Sequence, residues 1–163
     1  RTIYGGDYNF DYCTMASYGV DASALSLSNV LCLNDLCTNY RAYRSNVRIR
    51  NSIIYGSRRD EIILSQAPEA DFNYNFENCI VRVDELDDDA PYTDFFDSHC
   101  TNCLNPDRTA ALFADVDESN YQLDTLSVAE GQATPLSNIR IDLEARDRDM
   151  NTPDVGSYEY YPE

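Results

Sequence analysis

The 163-residue chain contains no lysine, no tryptophan and a single histidine. The missing lysines exclude Schiff-base and lysine-base chemistry, and any histidine-dependent mechanism has one candidate, His99. No apolar run approaches the roughly 20 residues that span a bilayer, so this segment does not cross one as a helix. There is no Asn-x-Ser/Thr sequon and no Asn-Gly or Asp-Gly dipeptide, the commonest signals for tight hairpins. Cations are scarce: 12 arginines face 29 carboxylates, a net charge of −17. Nucleic acid needs a basic footprint and is excluded as a partner. The hydrophobic fraction of 43% is ample for a core, and the length suits one domain.

Four segments share one pattern. They are Tyr8–Met15, Leu25–Cys32, Val47–Ile54 and Tyr74–Val81, each alternating apolar and polar residues and then turning at Tyr12, Asn29, Asn51 or Asn78. A second short β-prone run follows each pivot. Alternation sends Leu25 and Leu27, Val47 and Ile49, and Tyr74 and Phe76 to one face, the interior. Asn tolerates the left-handed backbone of a sharp bend, and Leu31, Ile53 and Ile80 return inward after it. The pivots are 17, 22 and 27 residues apart, which fits stacked parallel coils that emit loops of unequal length. The expected fold is all-β: a right-handed parallel β-helix whose Asn29, Asn51 and Asn78 form a ladder at one corner. An antiparallel sandwich also alternates but calls for the tight-turn dipeptides that are missing. No segment reads convincingly as a helix; the best short candidate is 106–113, of two turns at most. Residues 1–83 read as coils, 84–112 as an acidic loop with a Cys-x-x-Cys, and 113–163 as a capping segment of the same domain.

The coil sequences Asn51-Ser-Ile-Ile-Tyr-Gly56 and Asn78-Cys-Ile-Val81 carry a resemblance, as does the tail. In the tail it rests on Phe113 and Asp115, Tyr121-Gln122-Leu123, Leu126 to Ala129, Gly131, Asp142-Leu143, Arg148 and the closing Pro153-Asp-Val-Gly-Ser-Tyr-Glu159. These resemble the right-handed β-helix surface proteins of Bacteroidota-type bacteria, the choice-of-anchor Q proteins. Ala145 stands where that family usually has Gly, and Val128-Ala129 where it has Pro-Ala. The resemblance implies an exported, cell-surface protein, its C-terminal portion, with further coils expected before residue 1. It lends no catalytic residue. The tail is expected to fold over the last coil or along its side, with Gly156 in close approach and Arg146 and Arg148 paired with Asp142 and Asp154.

Three constellations are candidates for function. On the outward strand face, Asp11, Ser28, Arg50 and Glu77 are expected in one row and Asn9, Ser26, Arg48 and Asn75 in another, with Arg50 and Glu77 lateral neighbours. Asp11, Arg48, Arg50 and Glu77 are the candidate ligand-binding residues, for a polysaccharide or another envelope protein. The second is carboxylate-rich. Asp84-Glu-Leu-Asp-Asp-Asp89 with Asp94 and Asp97, and Asp147-x-Asp149-x-Asn151 with Asp154, offer oxygen ligands for Ca²⁺ but lack the glycine of an EF-hand loop. No other cofactor is implied. The third is cysteine. Cys32 with Cys37, and Cys100 with Cys103, are spaced for local disulfides, and Cys13 and Cys79 read as buried thiols. His99 with Cys100 and Cys103 is alternatively half of a zinc site, which needs two further ligands such as Cys32 and Cys37. The expected function is a non-catalytic surface scaffold that binds glycan or envelope proteins. The alternative is a polysaccharide lyase or glycoside hydrolase acting mainly on upstream coils.

Overall fold

A computed structural model of the chain describes residues 2–19 and 21–162. The chain runs through β1 (Thr2–Tyr4), β2 (Gly6–Asp11), β3 (Thr14–Ser17) and β4 (Leu25–Ser28). A hairpin of β5 (Val30–Cys32) and β6 (Tyr40–Ala42) comes next, then β7 (Ser45–Arg50), β8 (Ile53–Gly56), β9 (Ile62–Ser65), β10 (Phe72–Glu77) and β11 (Ile80–Val81). A 3-10 turn at Leu86–Asp88 leads to helix α1 (Phe95–His99), β12 (Cys100–Thr101) and a second hairpin, β13 (Phe113–Asp115) with β14 (Asn120–Leu123). The fold is all-β. The helix lies at 95–99, not at 106–113, where Pro106 and the Asp107 side chain, bonded to Thr109, favour a turn. No helix among the described residues is long and apolar enough to cross a membrane.

Strand pairing interleaves along the chain. One sheet has the order β1-β4-β9, a second β12-β10-β7-β2 and a third β11-β8-β3, all paired in parallel. Successive passages therefore give a strand to each sheet in turn. Among the described strands only the two hairpins pair antiparallel, which rules out the sandwich. The interior is the alternation read from sequence: Leu25, Leu27, Val47, Ile49, Tyr74 and Phe76 are all buried. Leu31 is not among them, because it lies in the partly exposed β5–β6 hairpin.

The bends set the register. Tyr12, Asn51, Asn78 and Asn102 all have φ between 50° and 53°, joining the second sheet to the third at one corner. Asn29 does not belong to this column. It ends β4 in a different sheet, where its amide takes the N–H of Ala67 and donates to the carbonyls of Ala67 and Ala70. Ser26 and Ser28 leave the expected rows for the same reason, pairing with Ile63 and Ser65 of β9. The fourth bend falls inside the 84–112 segment: Cys100-Thr101-Asn102-Cys103-Leu104 pairs with Phe76-Glu77-Asn78-Cys79-Ile80.

Residues 113–162 pack along the side of the sheets, on the bend column. Thr134 accepts from Asn51 and Asn78 and donates to Asn51, and its carbonyl also takes the Tyr12 hydroxyl. Gly156, at φ 101°, donates to the Asn51 carbonyl; a Cβ there would lie 2.7 Å from Ile53 Cδ1. Ile53, Tyr55 and Ile80 thereby gain a second apolar layer with Phe113, Leu123, Ala129 and Val155. That second layer explains the uninterrupted apolar run Ile53-Ile54-Tyr55, since both faces of the third sheet are buried.

Absent lysine, tyrosines and thiols dominate titration in the alkaline range. Burial raises Tyr12, Tyr18, Tyr55, Tyr74 and Tyr92 above their ordinary value of 10.0, Tyr18 to about 12. The unfolded chain releases these protons first, so their contribution to stability is whole below about pH 10 and is lost as pH rises through the folded values. A two-stage tyrosinate titration is expected, the second stage coinciding with loss of the β circular-dichroism signal. A single stage near pH 10 with the fold intact would contradict it.

Candidate functional site

The outward face of β2, β7 and β10 carries three lateral columns: Asp7, Asn46 and Asn73; Asn9, Arg48 and Asn75; Asp11, Arg50 and Glu77. Arg50 and Glu77 are direct neighbours. The ion pairs are distributed differently from that simple adjacency. Arg50 forks onto both oxygens of Asp11 at 2.7 and 2.8 Å, and Arg48 reaches diagonally to Glu77 at 2.9 Å. The hydrogen bond that Arg50 donates to Asp11 pushes the Arg50 pKa further up. In the first column Asn73 donates to Asn46 at 2.8 Å, Asn46 donates to Asp7, and Arg44 pairs with Asp7 at 2.7 Å.

Strand geometry builds this array. In-register parallel strands place like positions about 4.8 Å apart, and the period of two keeps the columns on one side. A shallow groove of about 270 Å³ runs along it, bordered by Asp7, Asn9, Asn46, Arg48, Asn73 and Asn75. Three carboxylates and three guanidinium groups balance, so the face is neutral on a chain of net charge −17. The array is a flat set of hydrogen-bond donors and acceptors with its charges paired. Sequence reasoning missed Asp7, Arg44, Asn46 and Asn73; the first, third and fourth were legible as further outward positions of the same strands.

The cysteines divide. Cys32 and Cys37 form a disulfide, Cα–Cα 4.8 Å, that closes the β5–β6 loop. Cys100 and Cys103 are free thiols, not a disulfide. Cys100 takes an inward strand position beside Phe76, and Cys103 comes directly after the bend, as Cys79 does one strand earlier. Residues after the bends share one hydrogen bond: Cys13, Ser52, Cys79 and Cys103 each donate to the carbonyl two residues back. This column of small donors satisfies carbonyls at a tight corner, so the Cys-x-x-Cys is part of the strand-and-bend pattern. Burial drives the Cys79 thiol up, keeping it protonated as a donor.

With Cys32 and Cys37 bridged, the remaining zinc ligands are missing. His99 stacks on Tyr74 at 4.0 Å, its Nδ1 lying 3.0 Å from the Tyr74 carbonyl. Several carboxylates of the acidic stretches are taken up within the chain. Asp60 takes the N–H groups of Asp84, Glu85 and Leu86, and Arg59 pairs with Asp84 and Glu85. Asp149 caps Asn151 and Thr152, while Asp154 takes the N–H groups of Gly131 and Tyr160. Among the described residues no three His, Cys, Asp or Glu side chains form a metal-holding group. Arg146 pairs with Glu144 and Arg148 with Glu159, rather than with Asp142 and Asp154, whose carboxylates serve backbone N–H groups.

Comparison with protein-family models, curated proteins and solved structures finds no match to this chain.

Proposed function

We propose that the interleaved sheets are coils of a right-handed parallel β-helix capped by residues 113–162. In this reading the protein is an exported, non-catalytic surface scaffold of the choice-of-anchor Q kind, and it binds neutral glycan on the outward face of β2, β7 and β10. One observation carries the binding reading: the groove there is bordered by the amides of Asn9, Asn46, Asn73 and Asn75 and by Arg48, whose guanidinium is already paired with Glu77, beside the strand segments at Tyr8, Val47 and Tyr74. Sugar hydroxyls both donate and accept, and they exchange readily with such groups, whereas a polyanion needs cations that are not spent on internal acids. The disulfide supports an oxidising, extracytoplasmic setting. A lyase or hydrolase reading gains nothing from this face, where Asp11 and Glu77 are both bonded to arginine.

Affinity electrophoresis tests it, through gels containing neutral β-glucan, xylan, mannan or galactan, or polygalacturonate. Retardation by a neutral polysaccharide and none by polygalacturonate is expected. Asn46→Ala with Asn73→Ala should weaken the binding roughly thirtyfold, two hydrogen bonds at about 1 kcal/mol each being lost against water. Retention by polygalacturonate alone, or by nothing, would overturn the reading.

A further inference from the structure

The first sheet stops one level short of its neighbours. The fourth passage of the chain gives β12 to the second sheet and Leu104 to the third, but no strand to the first, which ends at β9. The cause is local. Glu61 donates to the Arg82 carbonyl as the next passage comes alongside. Asp60 then takes the N–H groups of Asp84, Glu85 and Leu86 and draws the chain into the 3-10 turn at Leu86–Asp88. The bare edge of β9 is thus made within residues 60–88, by the segment that would otherwise have been its next strand.

Backbone and side chains agree on what that edge offers. Leu25 and Asn29 donate to the carbonyls of Glu61 and Ser65, so odd-numbered residues of β9 turn their peptide groups toward β4. Parallel geometry turns those of Ile62 and Leu64 to the other side, where they bond to no described residue. A groove of about 310 Å³ opens on that side, between β9 and a wall that includes Leu86, Asp89 and Tyr92. Ile63 is 46% exposed beside it. Unpaired peptide groups next to an apolar wall are what a sheet edge presents to an added strand. β9 has neither proline nor lysine to block one.

We infer that the β9 groove is a docking site for an extended segment of a partner polypeptide in which apolar and cationic residues alternate. The segment pairs with the Leu64 peptide, sets its apolar side chains against Leu86 and Tyr92, and brings its cations to Asp87, Asp88 and Asp89. Charge selects this occupant. Among the described residues, none of those three carboxylates belongs to an ion pair, unlike Asp84 and Glu85, which Arg59 holds. A second copy is a poor occupant. Two β9 edges laid together bring their Asp87–Asp89 runs into one place, and like charges that close are destabilising. The inference rests on the first sheet and is independent of the glycan reading, which concerns the second.

The test uses the whole chain and labelled peptides of about eight residues. One alternates Val with Arg, a second replaces each Arg with Glu, and a third keeps the Val and Arg side chains but has its peptide nitrogens methylated. Fluorescence anisotropy should show the first binding roughly tenfold more tightly than either of the others. Amide hydrogen exchange should slow at Leu64 on adding it, and Asp88→Asn with Asp89→Asn, both at exposed positions, should narrow its advantage over the Glu peptide. Equal binding of the methylated peptide would reduce the effect to bulk charge and overturn the inference, as would binding of none of the three. Protection of Leu64 by self-association alone, with a dimer in sedimentation, would overturn it in favour of a second copy.

Discussion

Phe76→Ala is expected to cost about 3–5 kcal/mol of unfolding free energy, a large part of what a domain of this size has. Phe76 is fully buried and sits between Ile49 and Cys100 in its column. Its ring meets Phe95 at 5.5 Å and Tyr74 at 6.4 Å, so one side chain ties the stacked strands to the helix that closes their end. Truncation leaves a void that these rings cannot fill without breaking their own contacts. Urea unfolding should show the full loss at an unchanged slope. Ile63→Ala, at an exposed position of β9, should cost under about 1 kcal/mol in the same assay. Equal costs for the two would mean that the interior is not where the pairing places it.

The second large effect belongs to Arg148. Its guanidinium is buried over the Tyr12 ring at 4.0 Å and donates to Glu159 and to the carbonyls of Asp154 and Gly156. Arg148→Met keeps most of the volume but strands a buried carboxylate, at a cost of about 3–5 kcal/mol at neutral pH. The pH dependence has a definite sign. Burial already raises the Glu159 pKa above its ordinary value, and removing the arginine raises it further. A folded pKa above the unfolded one means that stability is retained at low pH and lost as pH rises through the folded value. The deficit of the variant should therefore be greatest near pH 7 and shrink toward pH 4. Adding Glu159→Gln should recover part of the loss at pH 7, measured by thermal unfolding. A deficit independent of pH would assign the effect to packing alone.

Much of this was legible in the sequence because alternation is a local signal. Val47 and Ile49, or Tyr74 and Phe76, can bury one face only as strands, and the Asn after each arm marks where the chain must bend. The partners of those bends were harder to read. Asn29 has the same sequence surroundings as Asn51 but spends its amide on the 67–70 loop, and only the tertiary partner separates the two uses. Cys100-Thr101-Asn102-Cys103 repeats the Phe76 to Cys79 pattern on a strand of two residues, too short for alternation to show. Its thiols therefore read as a disulfide or a zinc half-site. On the binding face, Arg48, Arg50, Asp11 and Glu77 were legible as outward residues, while their pairing depends on side-chain reach. Docking of the tail on Thr134 leaves no periodic trace, since single residues far apart in the chain make it.

The most direct measurement tracks the side-chain amide resonances of Asn9, Asn46, Asn73 and Asn75 while an oligosaccharide of the retarding neutral polysaccharide is titrated into the labelled protein. Saturable shifts at those four, with the Arg48 guanidinium moving alongside them, are the predicted result. Unmoved amides on that face, with shifts gathered instead around Tyr160 and Tyr161 in the tail grooves, would contradict it.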